Sequence, residues 1–127
     1  MKLEKNRILI VDDERALRRG VVKIVETIGY EPLEAENGEE ALRQVERHRP
    51  ALIILDVMMK GMSGLEVCSR LKEDPETSGI QIIILSARGQ TREQEEGLRA
   101  GADRYISKPF DYKELIKTIH ELLGGDA

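Results

Sequence analysis

The chain has 127 residues, the size of one domain, and can bury roughly two thirds of the surface its unfolded form exposes. A 40% hydrophobic and 35% charged composition is that of a globular protein. It offers no apolar run near the ~20 residues needed to cross a bilayer, and residues 1–7 do not read as a leader. A formal net charge of −4 and a single cysteine, Cys68, exclude a basic nucleic-acid surface and a disulfide framework, so a cytoplasmic protein without direct nucleic-acid or membrane binding is expected.

Strands are predicted at Arg7–Val11, Glu31–Ala35, Ala51–Asp56, Gln81–Ser86 and Arg104–Ser107. Helices are predicted between them, at Glu14–Ile28, Gly38–Arg47, Gly64–Glu73 and Thr91–Ala100, and after the last strand at Asp111–Leu123. Leu17, Val21, Ile24 and Ile28 recur at helical spacing, as do Leu115, Ile119 and Leu122. Asn37 and Asp111 stand where helix caps are wanted, and Gly29 follows the first helix where a left-handed residue ends it. Pro50 and Pro75 read as loop markers, Gly97 as a weak point in the fourth helix, and Gly124-Gly125 as the start of a linker.

Alternating strands and helices imply right-handed crossovers and a parallel sheet covered on both faces. The three solid apolar runs, the first, third and fourth, belong in its centre and the two weaker ones at its edges. This predicts the flavodoxin-like (βα)5 sandwich with strand order 2-1-3-4-5, as a single domain over residues 1–127 with a core of about residues 6–123. In such sheets ligands sit beyond the carboxyl ends of the strands, at the switch point between the first and third.

The residues with chemistry lie at those ends. Ile8-Leu9-Ile10-Val11 stops at Asp12-Asp13, and Leu52-Ile53-Ile54-Leu55 stops at Asp56. Helix capping accounts for one aspartate more easily than for two. Three converging carboxylates repel one another unless a cation lies among them. Oxygen donors with no nearby His or Cys point to Mg2+ rather than zinc. Asp56 can act as a nucleophile toward phosphorus, and the Met58 carbonyl can add an uncharged oxygen ligand. Ser86 ends the fourth strand and Lys108-Pro109 follows the fifth, supplying a hydroxyl and an ammonium at the same rim. Each alone reads equally as a turn residue.

Together, Val11-Asp12-Asp13, Leu55-Asp56-Val57-Met58-Met59, Gly61-Met62-Ser63-Gly64, Leu85-Ser86-Ala87, Gly101-Ala102 and Lys108-Pro109-Phe110 resemble the receiver domain of bacterial two-component response regulators, the CheY-like family. The resemblance runs from about Asn6 to Leu123. It implies Asp56 as phospho-acceptor, Asp12, Asp13, Asp56 and the Met58 carbonyl as Mg2+ ligands, Ser86 as switch hydroxyl, Lys108 as phosphate-binding cation and Tyr105 as aromatic switch. It also implies a cis Lys108–Pro109 bond and a fourth helix, fifth strand and fifth helix that form the switched surface. The implied partner is a sensor histidine kinase or histidine phosphotransfer protein, and a phosphorylation-dependent dimer is compatible with the resemblance. The family usually has proline where this chain has Lys60, and often where it has Gln81. Lys60 then either faces the phosphate or is simply solvated.

Two rivals share the pattern. A magnesium-dependent phosphatase of the haloacid dehalogenase kind needs a second Asp two residues after its nucleophile, and Met58 stands there. An interaction scaffold that had abandoned phosphorylation would be expected to have lost acidic or lysine residues, and all are present. Arg15, Arg18, Arg19 and Lys23 make the first helix basic, as a kinase dock or, on charge pattern, a solvated face.

Overall fold

In the computed structural model, residues 2–87 and 91–124 are described, apart from the side chains of residues 91–93; Arg88 and Gly125 lie outside the described residues. Ten elements alternate in chain order: β1 (Glu4–Val11), α1 (Arg15–Thr27), β2 (Glu31–Ala35), α2 (Gly38–His48), β3 (Pro50–Leu55), α3 (Gly64–Glu73), β4 (Gln81–Ser86), α4 (Thr91–Arg99), β5 (Arg104–Ser107) and α5 (Tyr112–Leu123). The strands form one parallel sheet in the order β2-β1-β3-β4-β5, with the weak runs at its edges as the sequence predicts.

Strand alternation divides the core into two layers. Leu9, Val11, Ile53, Leu55, Ile82 and Ile84 pack on one face with Val45 of α2 and Val67 and Leu71 of α3. Ile8, Ile10, Leu52, Ile54, Ile83 and Leu85 pack on the other with Val21 and Val25 of α1 and Leu115 and Ile119 of α5. β3 is buried along its whole length, which is why its sequence is a continuous apolar run rather than an alternating one.

The helix ends follow local chemistry. The Asn37 side chain accepts from the Glu40 amide at 2.8 Å and the Asp111 side chain from the Lys113 amide at 2.9 Å. Gly29 takes φ +93 just beyond α1, the left-handed conformation a C-terminal stop requires. Ser63 caps α3 by accepting from the Glu66 amide at 3.2 Å.

Several boundaries lie one residue from expectation, the end of β3 at Leu55 rather than Asp56 among them, and two of the strand starts are informative. β1 begins at Glu4 rather than Arg7, because the Glu4 amide donates to the Arg49 carbonyl and Glu4 pairs with Pro50 ahead of a register irregularity. Pro50 itself is the first residue of β3, a position where its missing N–H does little harm to the ladder. Pro75 does lie in a turn. Among the described side chains of α4 only Gly97 is buried, while Leu98 is exposed. No helix among the described residues is long and apolar enough to cross a membrane.

Candidate functional site

The last ladder pairs of β1 join Val11 to Ala35 and to Leu55. One further hydrogen bond on each side, Asp12 N–H to the Ala35 carbonyl at 3.1 Å and Asp56 N–H to the Val11 carbonyl at 3.0 Å, carries Asp12 and Asp56 past the sheet side by side. On the far side the Lys108 N–H donates to the Ser86 carbonyl at 2.8 Å, which brings the ends of β4 and β5 together. The Lys108–Pro109 bond is cis, as expected.

Carboxylate oxygens of Asp12, Asp13 and Asp56 lie within 4.8 Å of one another. Asp12 and Asp56 are buried and Asp13 is exposed, so the cluster has a closed floor and an open side. Among the described residues, Lys108 brings a positive charge to the group. Its Nζ donates to Asp12 Oδ2 at 3.1 Å and stands 3.8 Å from Asp56 Oδ1. Asp12 Oδ1 also accepts the Glu14 amide at 2.9 Å. Asp56 has weaker support, with the Met58 amide 3.4 Å from Oδ1. Burial therefore dominates and pushes the Asp56 carboxyl up to about 6; Asp12 and Asp13 add to the rise, while Lys108 and the Met58 amide oppose it.

Three hard oxygen donors with one side open to solvent, and only carboxylates in the group, suit a hard divalent cation that keeps part of its water. The Met58 side chain is exposed.

Ser86 is fully buried and Tyr105 half-buried. The register pairs Ser86 with Ser107 and Ile84 with Tyr105, so Ser86 and Tyr105 are diagonal neighbours on one face of the sheet. Lys60 is exposed and lines a cleft of about 510 Å3 with Asp13, Glu36, Asn37, Gly38 and Arg43. That places it on the rim beside Asp13.

Two contributors were not read from the sequence. A Cβ on Gly64 would lie 2.2 Å from the Asp56 carbonyl oxygen and 2.9 Å from Val57 Cα, so the glycine lets the start of α3 close onto the Asp56–Val57 segment. Arg18, taken as part of a basic face, instead turns inward. It donates through Nη1 to the Asp12 carbonyl at 2.8 Å and pairs through Nε with Glu34 at 3.0 Å. Arg19 binds the same Glu34 carboxylate. Burial pushes the Glu34 carboxyl up, yet the two guanidiniums outweigh it and leave it below the ordinary carboxylate range. Only Arg15 and Lys23 of the four remain as exposed basic residues without a described ion pair.

Residues 8–120 match the family model of the response regulator receiver domain. The chain is 45% identical over 116 residues to the phosphate regulon transcriptional regulatory protein PhoB of Pseudomonas aeruginosa, covering 91% of this chain and 51% of that protein. It is also 45% identical over 120 residues to histidine kinase P4 of Formosa agariphila, covering 94% of this chain and 9% of the kinase. The chain thus spans about half of the first relative and a small part of the second. Among solved structures, a putative response regulator from Chloroflexus aurantiacus superposes with a TM-score of 0.91 at 33% identity, covering 96% of this chain and 100% of that one. The chemotaxis protein CheY4 of Vibrio cholerae gives 0.85 at 30% identity, covering 91% and 97%.

Proposed function

The chain belongs to the response regulator receiver domain family, and from that premise we propose that Asp56 is the residue that accepts the phosphoryl group. The observation that carries this reading is the convergence of Asp12, Asp13 and Asp56 with Lys108 at the carboxyl ends of β1, β3 and β5. A receiver domain is a signalling switch, and its general partner is a histidine kinase. For this chain the donor is a phosphohistidine on a sensor kinase or a histidine phosphotransfer protein.

In the transfer, an Asp56 carboxylate oxygen bonds to phosphorus as the phosphorus–nitrogen bond of the donor breaks. The imidazole leaves with its electron pair and takes up a proton, and Asp56 becomes an acyl phosphate. Asp12, Asp13, Asp56 and the Met58 carbonyl would hold Mg2+, which when bound neutralises charge on the phosphoryl oxygens. Lys108, already 3.8 Å from Asp56, supplies a second cation fixed to the sheet by its backbone. Buried Ser86 provides a hydroxyl that donates to the phosphoryl group.

Each such charge-assisted hydrogen bond contributes about 1.5–3 kcal/mol. Ser86 and Lys108 together thus supply about 3–6 kcal/mol gross, on the scale of the ~5.5 kcal/mol that inverts a 1:99 equilibrium. Movement of Ser86 toward the phosphoryl group frees space on the face it shares with Tyr105, and the ring turns inward to fill it. The α4–β5–α5 surface then changes shape.

Incubation with acetyl phosphate and Mg2+ followed by intact-mass measurement tests the reading. One lasting phosphoryl adduct, absent in Asp56→Asn, is expected. Rapid turnover without an adduct would favour a phosphatase, and no reaction at all would favour a scaffold.

A further inference from the structure

The β1 ladder ends at Val11, so nothing in the sheet fixes the carbonyl of Asp12. That carbonyl belongs to the planar peptide joining Asp12 to Asp13, and whatever holds it sets the plane from which both carboxylates project. Among the described hydrogen bonds, the one that reaches it comes from Arg18 Nη1 at 2.8 Å. The Arg18 side chain is only 11% exposed. Its Nε is in turn tied to Glu34 on β2 at 3.0 Å, and the other oxygen of Glu34 is held by Arg19.

We propose that Arg18, braced by Glu34, is a positioning residue for the divalent-cation site: it locks the Asp12–Asp13 peptide so that Asp13, the exposed member of the cluster, stays aimed at the cation. The inference rests on the phosphoacceptor reading and extends it to residues that touch neither the cation nor the phosphoryl group. The fork is essential, because a planar guanidinium can span a carbonyl and a carboxylate at once while a single ammonium cannot keep both in the same geometry. Glu34 matters because without it the guanidinium is free to leave the carbonyl for solvent. The positive charge of Arg18 does not help a cation bind. A loss of affinity on its removal therefore separates positioning from electrostatics, which would act in the opposite direction.

Calorimetric titration of the chain with Mg2+ decides the matter. Arg18→Ala is expected to weaken Mg2+ binding about ten-fold or more, the scale seen when a group supporting a metal ligand is removed. Arg18→Lys should restore little of it, and Glu34→Gln should fall between wild type and Arg18→Ala. The Arg18→Ala/Glu34→Ala double variant should be no worse than Arg18→Ala alone, since both break one device. In acetyl phosphate reactions the Mg2+ concentration for half-maximal rate should rise by the same factor, while the rate at saturating Mg2+ is retained. A purely structural role would lower thermal stability in EDTA without moving the Mg2+ titration. Unchanged or tighter Mg2+ binding in Arg18→Ala and Arg18→Lys overturns the inference alone. Absence of Mg2+ binding in wild type overturns it together with the phosphoacceptor reading. Arg18→Lys and Glu34→Gln keep the comparison decisive if Arg18→Ala does not fold.

Discussion

Two glycines divide the molecule into a rigid region and a yielding one. At Gly64 an added Cβ would meet the backbone of Asp56 and Val57 at 2.2 and 2.9 Å. At Gly97 it would meet the end of the Ile84 side chain at 2.9 Å and the Tyr105 ring at 3.5 Å. The first glycine sits where α3 closes on the Asp56–Val57 segment, and its near neighbours are main-chain atoms. The second is the one buried residue among the described side chains of α4, and its neighbours are side chains that can turn. The acid site is thus held by backbone, ion pairs and a guanidinium brace, whereas α4, among its described residues, buries only Gly97, against side chains of β4 and β5. A switch needs this division, with chemistry in a fixed frame and a report in an element of low local stability.

Gly64→Ala should show the largest effect. Because the clash is with backbone, a loss of about 3 kcal/mol or more is expected in urea unfolding, with loss of the Asp56 adduct. A variant of near wild-type stability would remove the claim that the acid side is rigid.

Asp56→Asn should act in the other direction. In the folded, Mg2+-free protein the Asp56 carboxyl is raised from its ordinary 3.8 to about 6. The folded state therefore binds the proton more tightly than the unfolded chain does. That stability is present in full below about pH 4 and is lost as pH rises through 6. At pH 7.5 in EDTA the variant should be more stable than wild type by on the order of 2–3 kcal/mol, with the gap closing toward pH 4. Denaturant midpoints across that range read it directly, and a gap independent of pH would contradict the burial argument.

Smaller still, Asn37→Ala removes the cap on α2 and should cost about 1 kcal/mol. The smallest net change is expected for Gly97→Ala. Alanine improves the helix by about 1 kcal/mol over glycine, which offsets the cost of turning Ile84 and Tyr105 aside. Stability should move by less than about 1 kcal/mol, while the amide resonances of α4 and β5 shift. A cost as large as that at Gly64 would erase the contrast between the two regions.

The sheet and the acid cluster were legible because each depends on a local signal: strand-length runs in alternation with helical patterns, two of them, β1 and β3, unbroken apolar runs that stop at Asp. The position of Arg18 was not legible. On α1 it looks like its neighbours Arg15 and Arg19, and only the pairing of β1 with β2 places Glu34 opposite it. Glu34 in turn sits in a weak edge strand, where a charged residue reads as solvent-facing. Pro50 was read as a loop because proline breaks ladders in general, although the first residue of a strand is exempt. The Ser63 cap was readable in Ser63-Gly64-Leu65-Glu66, which has the spacing of a capping box. The close approach at Gly64 depends on a tertiary contact that no pattern along the chain reports.

The central claim is that Asp56, and neither of its two acidic neighbours, forms the bond to phosphorus. Borohydride reduction after treatment with acetyl phosphate and Mg2+ converts an aspartyl phosphate to homoserine, and peptide sequencing by mass spectrometry locates it. Homoserine at position 56, and none at 12 or 13, is the predicted result. Homoserine at either of the other two, or at no aspartate in a sample that carries the phosphoryl adduct, would contradict it.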